Sequence, residues 1–517
     1  MVLATPPSKG LLSIAVELAI LILEKLDLHT LVSCKRVCHR IKNIIDESVV
    51  LQYKIELAVA GMEDGPTSAI SVSERLQRLK NYTEAWKTMS FSPEVETVTL
   101  TGNLWELCGG VLGLSDRAKP ATLMFRKLPA IARGIEGKEW TIEDVGFPIR
   151  DFKMDPSQDL LVMIELPPEP PAGGFVPCKI HLRTLNGNKP HPSVSDSVMV
   201  TSIRTPHDDS LCFTIKLCGD RLGIMLEYLR HEDHRGDVDI MVYNWRTAAS
   251  LFRIYGIDSP IEAYTFLSEE YILLGIAEDC VPRLEVYKLY EDSNITRREW
   301  NGQDYFCAFA YGRKPHSIMW GSMVIQGEAP TSWSQSGYED IPFFTSPSRR
   351  VVGVMFDDAL DADADWSHHT RHLIHLPKLL SLVSLRPEQT GTTYVWPFWA
   401  NDTALSVPEL DPSPIWWYWI HGTKVLHSFA QEKLVQSLIR DFHYVEVMDL
   451  NPILLKRESS RHGDTGVNDS RIERYVKYKA MEVLPAMGKM ISEDNLILVE
   501  DKVEEDAGDA NLFIYTL

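Results

Sequence analysis

The feature that most constrains the fold is a change of hydrophobic period near residue 95. Before it, apolar residues recur at helical spacing. After it, short runs alternate or stand as apolar blocks of strand length, an expectation that holds through to residue 517. One form repeats in this second part: an acidic or turn residue, an apolar run, a loop, then an alternating strand that ends in a short turn. It stands at Asp159–Ile164 with Lys179–Arg183, at Arg221–Leu226 with Asp239–Trp245, and most clearly at Glu270–Gly275 with Arg283–Leu289. Less regular copies follow at Val351–Met355 with His372–Leu376, at Ile415–Ile420, at Val445–Leu450, and at Leu496–Val499 with Leu512–Tyr515.

Pairs of this kind about 40 to 60 residues apart match the repeat of a β-propeller with long insertions in some blades. The remaining span allows about six to eight blades, with seven favoured. A pair of β-sandwiches is the competing arrangement. The run Asp239-Ile240-Met241-Val242-Tyr243-Asn244-Trp245-Arg246-Thr247 is similar to the final-strand motif of WD-type repeats, although the Trp-Asp ending does not recur from copy to copy.

The first part of the chain reads as helices. From Glu17 to Leu26 the residues Leu18, Leu21, Ile22 and Leu26 share a helical face, and Val37, Ile41, Ile44 and Ile45 repeat the pattern. Asp27 can cap a short intervening helix from Leu28 to Val32, its carboxylate accepting an orphaned N–H. Three helices in about 40 residues are too few to bury a self-sufficient core, so a partner or a flanking domain is expected. A further helix is expected over Ser73–Met89, capped by Ser73, with Leu76, Leu79 and a buried Trp86, as connector to the β domain. Glu63-Asp64-Gly65-Pro66 reads as a turn before it.

The N-terminal segment resembles the F-box, the adaptor-binding module of substrate receptors in SCF-type cullin ubiquitin ligases. Matching residues are Glu17, Leu18, Ile22, Leu23, Leu26, Asp27, Leu31, Val37, Cys38, Arg40 and Leu51. The family's opening Leu-Pro is Ile14-Ala15 here, and its usual Trp is Ile41. The stretch Gln52–Ala58 with Ala60-Gly61-Met62 looks like the segment that follows the F-box in proteins of mushroom-forming fungi. The resemblance implies docking on a Skp-type adaptor, and through it on a cullin, by Ile14, Leu18, Ile22, Leu23, Leu26, Leu31, Val37, Cys38 and Ile41. It also implies that the β domain presents an unknown client protein, and that the chain performs no bond chemistry itself. The expected division is a leader over 1–10, the F-box over 11–52, a helical linker over 53–94 and the propeller over 95–517.

Lys plus Arg number 52 against 72 for Asp plus Glu, a net charge of −20. Such a field repels nucleic acid and anionic membrane surfaces, so neither is an expected partner. The eight cysteines are scattered rather than framework-spaced, which suits a reducing compartment, cytoplasm or nucleus. The sequons at Asn81, Asn294, Asn401 and Asn468 are then chance matches. The apolar run Leu11–Leu23 is interrupted by Glu17 and is too short to span a bilayer.

Candidate chemistry is sparse. Asp361, Asp363 and Asp365 imitate the start of a calcium loop, but Trp366 replaces the required glycine and His372 the bidentate glutamate. His368 and His372 could share a helix face toward zinc, but a strand suits them as well. Cys34, Cys38 and His39 give half a zinc site and read better as apolar positions on the third helix. No nucleophile elbow, phosphate loop or His-Glu-x-x-His run is present. Neither metal nor cofactor is expected. The aromatics Tyr394, Trp396, Phe398 and Trp399, with Trp416 to Trp419 as a strand, read mostly as core and partly as a recognition surface. The pairs Arg313-Lys314 and Arg349-Arg350 read as solvated charge or as readers of a phosphorylated segment. The competing functions are a propeller scaffold with a decayed F-box, and a metal-dependent enzyme centred on Asp361 to His375.

Overall fold

The structure is a computed structural model that describes residues 14–66, 70–168, 174–205, 211–228, 236–278, 281–290, 297–311, 319–327, 330–333, 341–359, 368–385, 391–408, 418–435, 438–461, 475–484, 486–500 and 510–517. Four helices open it: α1 (Val16–Glu24), α2 (Leu28–Cys34), α3 (His39–Glu47) and α4 (Val49–Ala60). Asp27 caps α2 as its sequence position suggests, its carboxylate accepting the Thr30 N–H at 3.0 Å. Leu23, Leu31, Ile41, Ile45 and Leu51 form the small apolar centre of this group. From α4, Lys54 Nζ donates to the Glu24 and Leu26 carbonyls at 2.6 Å. It thereby satisfies acceptors that the end of α1 leaves open.

Helix α4 ends at Gly61, whose φ of +70° suits a residue without Cβ. Glu63 and Asp64, expected to open a turn, instead join Met62 in a short strand antiparallel to Phe343–Thr345. Helix α5 (Val72–Thr88) follows, capped by Ser71 rather than Ser73: the Ser71 hydroxyl accepts the Glu74 N–H at 3.3 Å.

Seven antiparallel sheets then succeed one another around a ring. Blade 1 comprises Trp105–Cys108, Val111–Ser115, Leu123–Lys127 and Lys138–Ile142, and blade 2 Asp151–Asp155, Leu160–Glu165, Phe175–Thr184 and Val198–Arg204. Blade 3 comprises Leu211–Cys218, Arg221–Tyr228, Asp237–Asn244 and Ala249–Gly256, and blade 4 Ile261–Phe266, Tyr271–Glu278, Val281–Lys288 and Cys307–Ala310. Blade 5 holds Met319–Gln326, Val351–Ala359, His368–His375 and Ala404–Pro408. Blade 6 holds Ile420–His421, Lys424–Val435 and Leu438–Asp449, edged by Val476–Lys477 and Met481–Val483. Blade 7 joins Ala486–Ile491, Asn495–Glu500 and Asn511–Thr516 to Glu96–Thr99, so the first strand after α5 closes the ring. The cores lie between neighbouring blades: Leu222 of blade 3 packs with Ile180 of blade 2, and Leu274 of blade 4 with Ile240 of blade 3.

The repeated pairs read in the sequence are the two middle strands of blades 2, 3, 4, 5 and 7. The WD-like run therefore ends the third strand of its blade, not the last. Blade 6 differs, since Ile415 to Trp417 lie outside the described residues and Tyr418 has φ +75°, which is not strand geometry.

Helices interrupt the β domain, contrary to the expectation of strands throughout. Between the third and fourth strands of blade 5, α6 (Leu376–Ser384), a strand Thr392–Val395 and α7 (Trp396–Thr403) form an insertion. Its strand pairs parallel to Cys307–Ala310 on the outer edge of blade 4. Helix α8 (Pro452–Arg461) follows the third strand of blade 6.

Candidate functional site

The helical group carries two kinds of apolar side chain. Leu23, Leu31 and Ile41 are 1%, 0% and 6% exposed and hold α1, α2 and α3 together. They therefore cannot form the outer face that the sequence reading gave them. Leu18, Ile22 and Val37 are 53%, 46% and 69% exposed, and Val16, Leu21 and Val32 are exposed with them. These six large apolar side chains are thus exposed on this small unit. Ile14, Leu26 and Cys38 are half-buried at the boundary between the two sets. Cys34 ends α2 and Cys38 is the residue before α3, so the two do not share the stripe of one helix. Both pack partly against the small core.

The opposite side of this group is fixed to the propeller. Tyr53, Leu57, Val59 and Ala60 of α4 share one core with Leu76, Leu79, Tyr82 and Trp86 of α5 and with Val425, Val447, Leu450 and Leu496 of blades 6 and 7. The Tyr82 hydroxyl and Trp86 Nε1 both donate to the Glu493 carbonyl, at 2.7 and 3.2 Å. Asn451 Nδ2 donates to the Ala58 and Val59 carbonyls, capping the end of α4. Beneath them the buried Arg133 ion-pairs with Asp494 and lies 3.2 Å from Glu493. The Arg133 guanidinium holds the Asp494 carboxyl against burial, which dominates and pushes its pKa up. Arg457 to Glu56 and Lys87 to Glu458 add ion pairs at 2.6 and 3.0 Å. Trp86 is thus core, as expected from its place on the connector helix, and the boundary at 52/53 runs through the continuous helix α4.

The other sequence candidates disperse. Asp361, Asp363, Asp365 and the Arg313-Lys314 pair lie outside the described residues, and so do Trp416 and Trp417. His372 is on a strand, with Nδ1 2.9 Å from the Ser406 hydroxyl. Among the described residues no three His, Cys, Asp or Glu side chains converge as metal ligands. Arg350 is neither solvated nor poised for phosphate: it is buried, donating to the Gly327, Pro347 and Phe266 carbonyls. Trp399 is fully buried, its Nε1 donating to the Ala310 carbonyl at 3.1 Å, while Phe398 is exposed and stacked on Tyr394. The Arg133–Asp494 pair escaped the sequence reading because its members stand 361 positions apart in unrelated loops.

Among the described residues no helix is long and apolar enough to cross a membrane. No curated protein matches the chain by sequence. Among solved structures, extracellular domains 1-2 of Drosophila Semaphorin 1b are similar at 9% identity and a TM-score of 0.35, covering 83% of this chain and 88% of that one. The polysaccharide lyase Uly1 is similar at 10% identity and a TM-score of 0.33, covering 88% and 97%. Kluyveromyces lactis Hsv2 gives 10% identity and 0.17, covering 50% and 58%. The F-box domain model matches residues 11–53. Residues 11–53 are an F-box domain, and it stands ahead of a seven-bladed β-propeller.

Proposed function

We propose that the protein is the substrate-receptor subunit of an SCF-type ubiquitin ligase. The F-box would bind a Skp-type adaptor, and through it a cullin, while the propeller holds a client protein. The observation that carries this reading is the exposed apolar face of α1 and the turn before α3, led by Leu18, Ile22 and Val37, on a domain that matches the F-box model. The adaptor-facing set is accordingly Leu18, Ile22 and Val37 with Val16, Leu21 and Val32, edged by Ile14, Leu26 and Cys38. Leu23, Leu31 and Ile41 support it from inside. The chain would contribute proximity, raising the effective concentration of conjugating enzyme at the client, without bond chemistry of its own. Its place of work on this reading is cytoplasm or nucleus.

The test is co-purification of the full chain with a Skp-type adaptor, for the parent and for the double variant Leu18→Asp, Val37→Asp. A stoichiometric complex that the double variant abolishes supports the receptor role. A folded parent that forms none sinks it and leaves a propeller scaffold without ligase function.

A further inference from the structure

The linker packs on one side of the propeller face that carries it. Helices α4 and α5 lie over blades 6 and 7 and the neighbouring parts of blades 5 and 1. The turns joining the first and second strands of blades 2, 3 and 4 lie on this same face, and among the described residues they border a cavity of about 720 Å³. That volume falls within the roughly 300–1,000 Å³ of ligand sites. Pro330–Ser332, Pro347, Ser348 and Arg350, between the first and second strands of blade 5, add to the wall, and Phe343–Thr345 in the same connection pairs with the linker strand Met62–Asp64. The cavity therefore adjoins the linker without being lined by it. Met154, Leu217, Leu267, Leu376 and Leu380 supply apolar surface.

The charges in the wall are unequally engaged. Lys153 Nζ is bound to Glu106 at 2.7 Å. Arg246 is held by Asp220 and by Gln158, and its guanidinium lies over the Trp245 ring. Arg350 is directed at backbone carbonyls. In contrast, the exposed Glu269 carboxylate makes no hydrogen bond or ion pair with any of the described residues. Asp159 commits one oxygen to Asn186 and leaves the other open. With Lys153 matched by Glu106, four carboxylates (Asp155, Asp159, Asp220 and Glu269) face two guanidinium groups. Apolar surface beneath spare acceptors suits a side chain with an aliphatic stem and a cationic head.

We propose that this cavity receives a lysine or arginine side chain presented by an extended segment of a client protein. The inference rests on the reading of the propeller as client-holding, but it uses a surface separate from the adaptor face, so each can fail alone. It is tested by fluorescence anisotropy of the full-length protein with labelled decapeptide pools. One central position is fixed as Lys, Arg, Glu or Leu, and the others are mixtures of Ala, Ser, Leu and Gly. The Lys and Arg pools are expected to bind at least tenfold more tightly than the Glu and Leu pools, with the advantage shrinking as salt rises. Glu269→Lys, at an exposed turn where folding is not at stake, should remove that advantage. Leu380→Arg should do the same by placing a cation of the chain's own in the cavity. A Glu or Leu pool that binds as tightly as the basic pools, no binding by any pool, or basic-pool preference unchanged in folded Glu269→Lys overturns the proposal.

Discussion

Leu18 and Leu23 lie one helical turn and a half apart on α1 and meet opposite surroundings, one in solvent and one enclosed by Leu31 and Ile45. Their substitutions should separate accordingly. Leu18→Asp with Val37→Asp should leave the melting temperature within about 2 °C of the parent, as surface changes do, while adaptor co-purification is lost. Leu31→Ala should cost about 2–5 kcal/mol of local stability, seen as loss of hydrogen-exchange protection in α1 to α3. Two histidines make acid sensitivity testable. Burial, and then Lys424, lower the His421 pKa to about 3; burial, and then Lys378, lower that of His375 to about 4. Both are neutral in the folded state at pH 7. As pH falls below about 6.5 the unfolded chain takes up protons that the folded chain refuses, so stability falls until each folded pKa is reached. Each contributes at most about 1.4 kcal/mol per pH unit. Denaturant melts between pH 7 and pH 5 should show His421→Gln flattening this decline; an unchanged slope would remove His421 as a cause.

At the scale of elements, α5 is the piece that makes F-box and propeller one body. Trp86→Ala should cost about 3–5 kcal/mol through the cavity it opens, and should separate one thermal transition into two while exposing the 60–95 region to protease. Arg133→Met should act in the same direction, also by about 3–5 kcal/mol, because Glu493 and Asp494 lose their buried counter-charge. A single unshifted transition in both variants would show that the two parts are joined by other contacts. The elements legible in the sequence were those with a clean period: α5, the short helix capped by Asp27, and the middle strands, whose burial on both faces leaves continuous runs such as Leu160–Ile164. Inner and outer strands such as Trp105–Cys108 and Lys138–Ile142 are short and mixed, and blade 1 went unseen because its middle strands are only five residues each, one interrupted by Gly113 and the other ending in Arg126-Lys127. Helix α6 was missed although Leu376, Leu379 and Val383 keep helical spacing and Pro377 stands in its first turn. The strand His368–His375 runs directly into it, without a turn residue to mark the change.

At the scale of the whole molecule, the ring is closed by Glu96–Thr99, whose partner strand Asn511–Thr516 lies more than 400 positions away. Val98→Pro removes a ladder donor and leaves a sheet edge open; it should lower protection from hydrogen exchange across blade 7 and raise the tendency to aggregate, measured by light scattering on warming. Retained protection in Asn511–Thr516 would mean that closure does not depend on that strand. The sequence by itself determined what is local: the period of each long element, the Asp27 cap, the F-box register, and a repeat length that fits a propeller of about seven blades. Only the tertiary structure decided which apolar residues of the F-box are enclosed and which are presented, because helical spacing places both on related faces until neighbouring helices choose between them. The tertiary structure alone also brought Arg133 to Asp494 and the turns of blades 2, 3 and 4 around one cavity. Such contacts join loops far apart in the chain, and loops carry no period from which their meeting could be read.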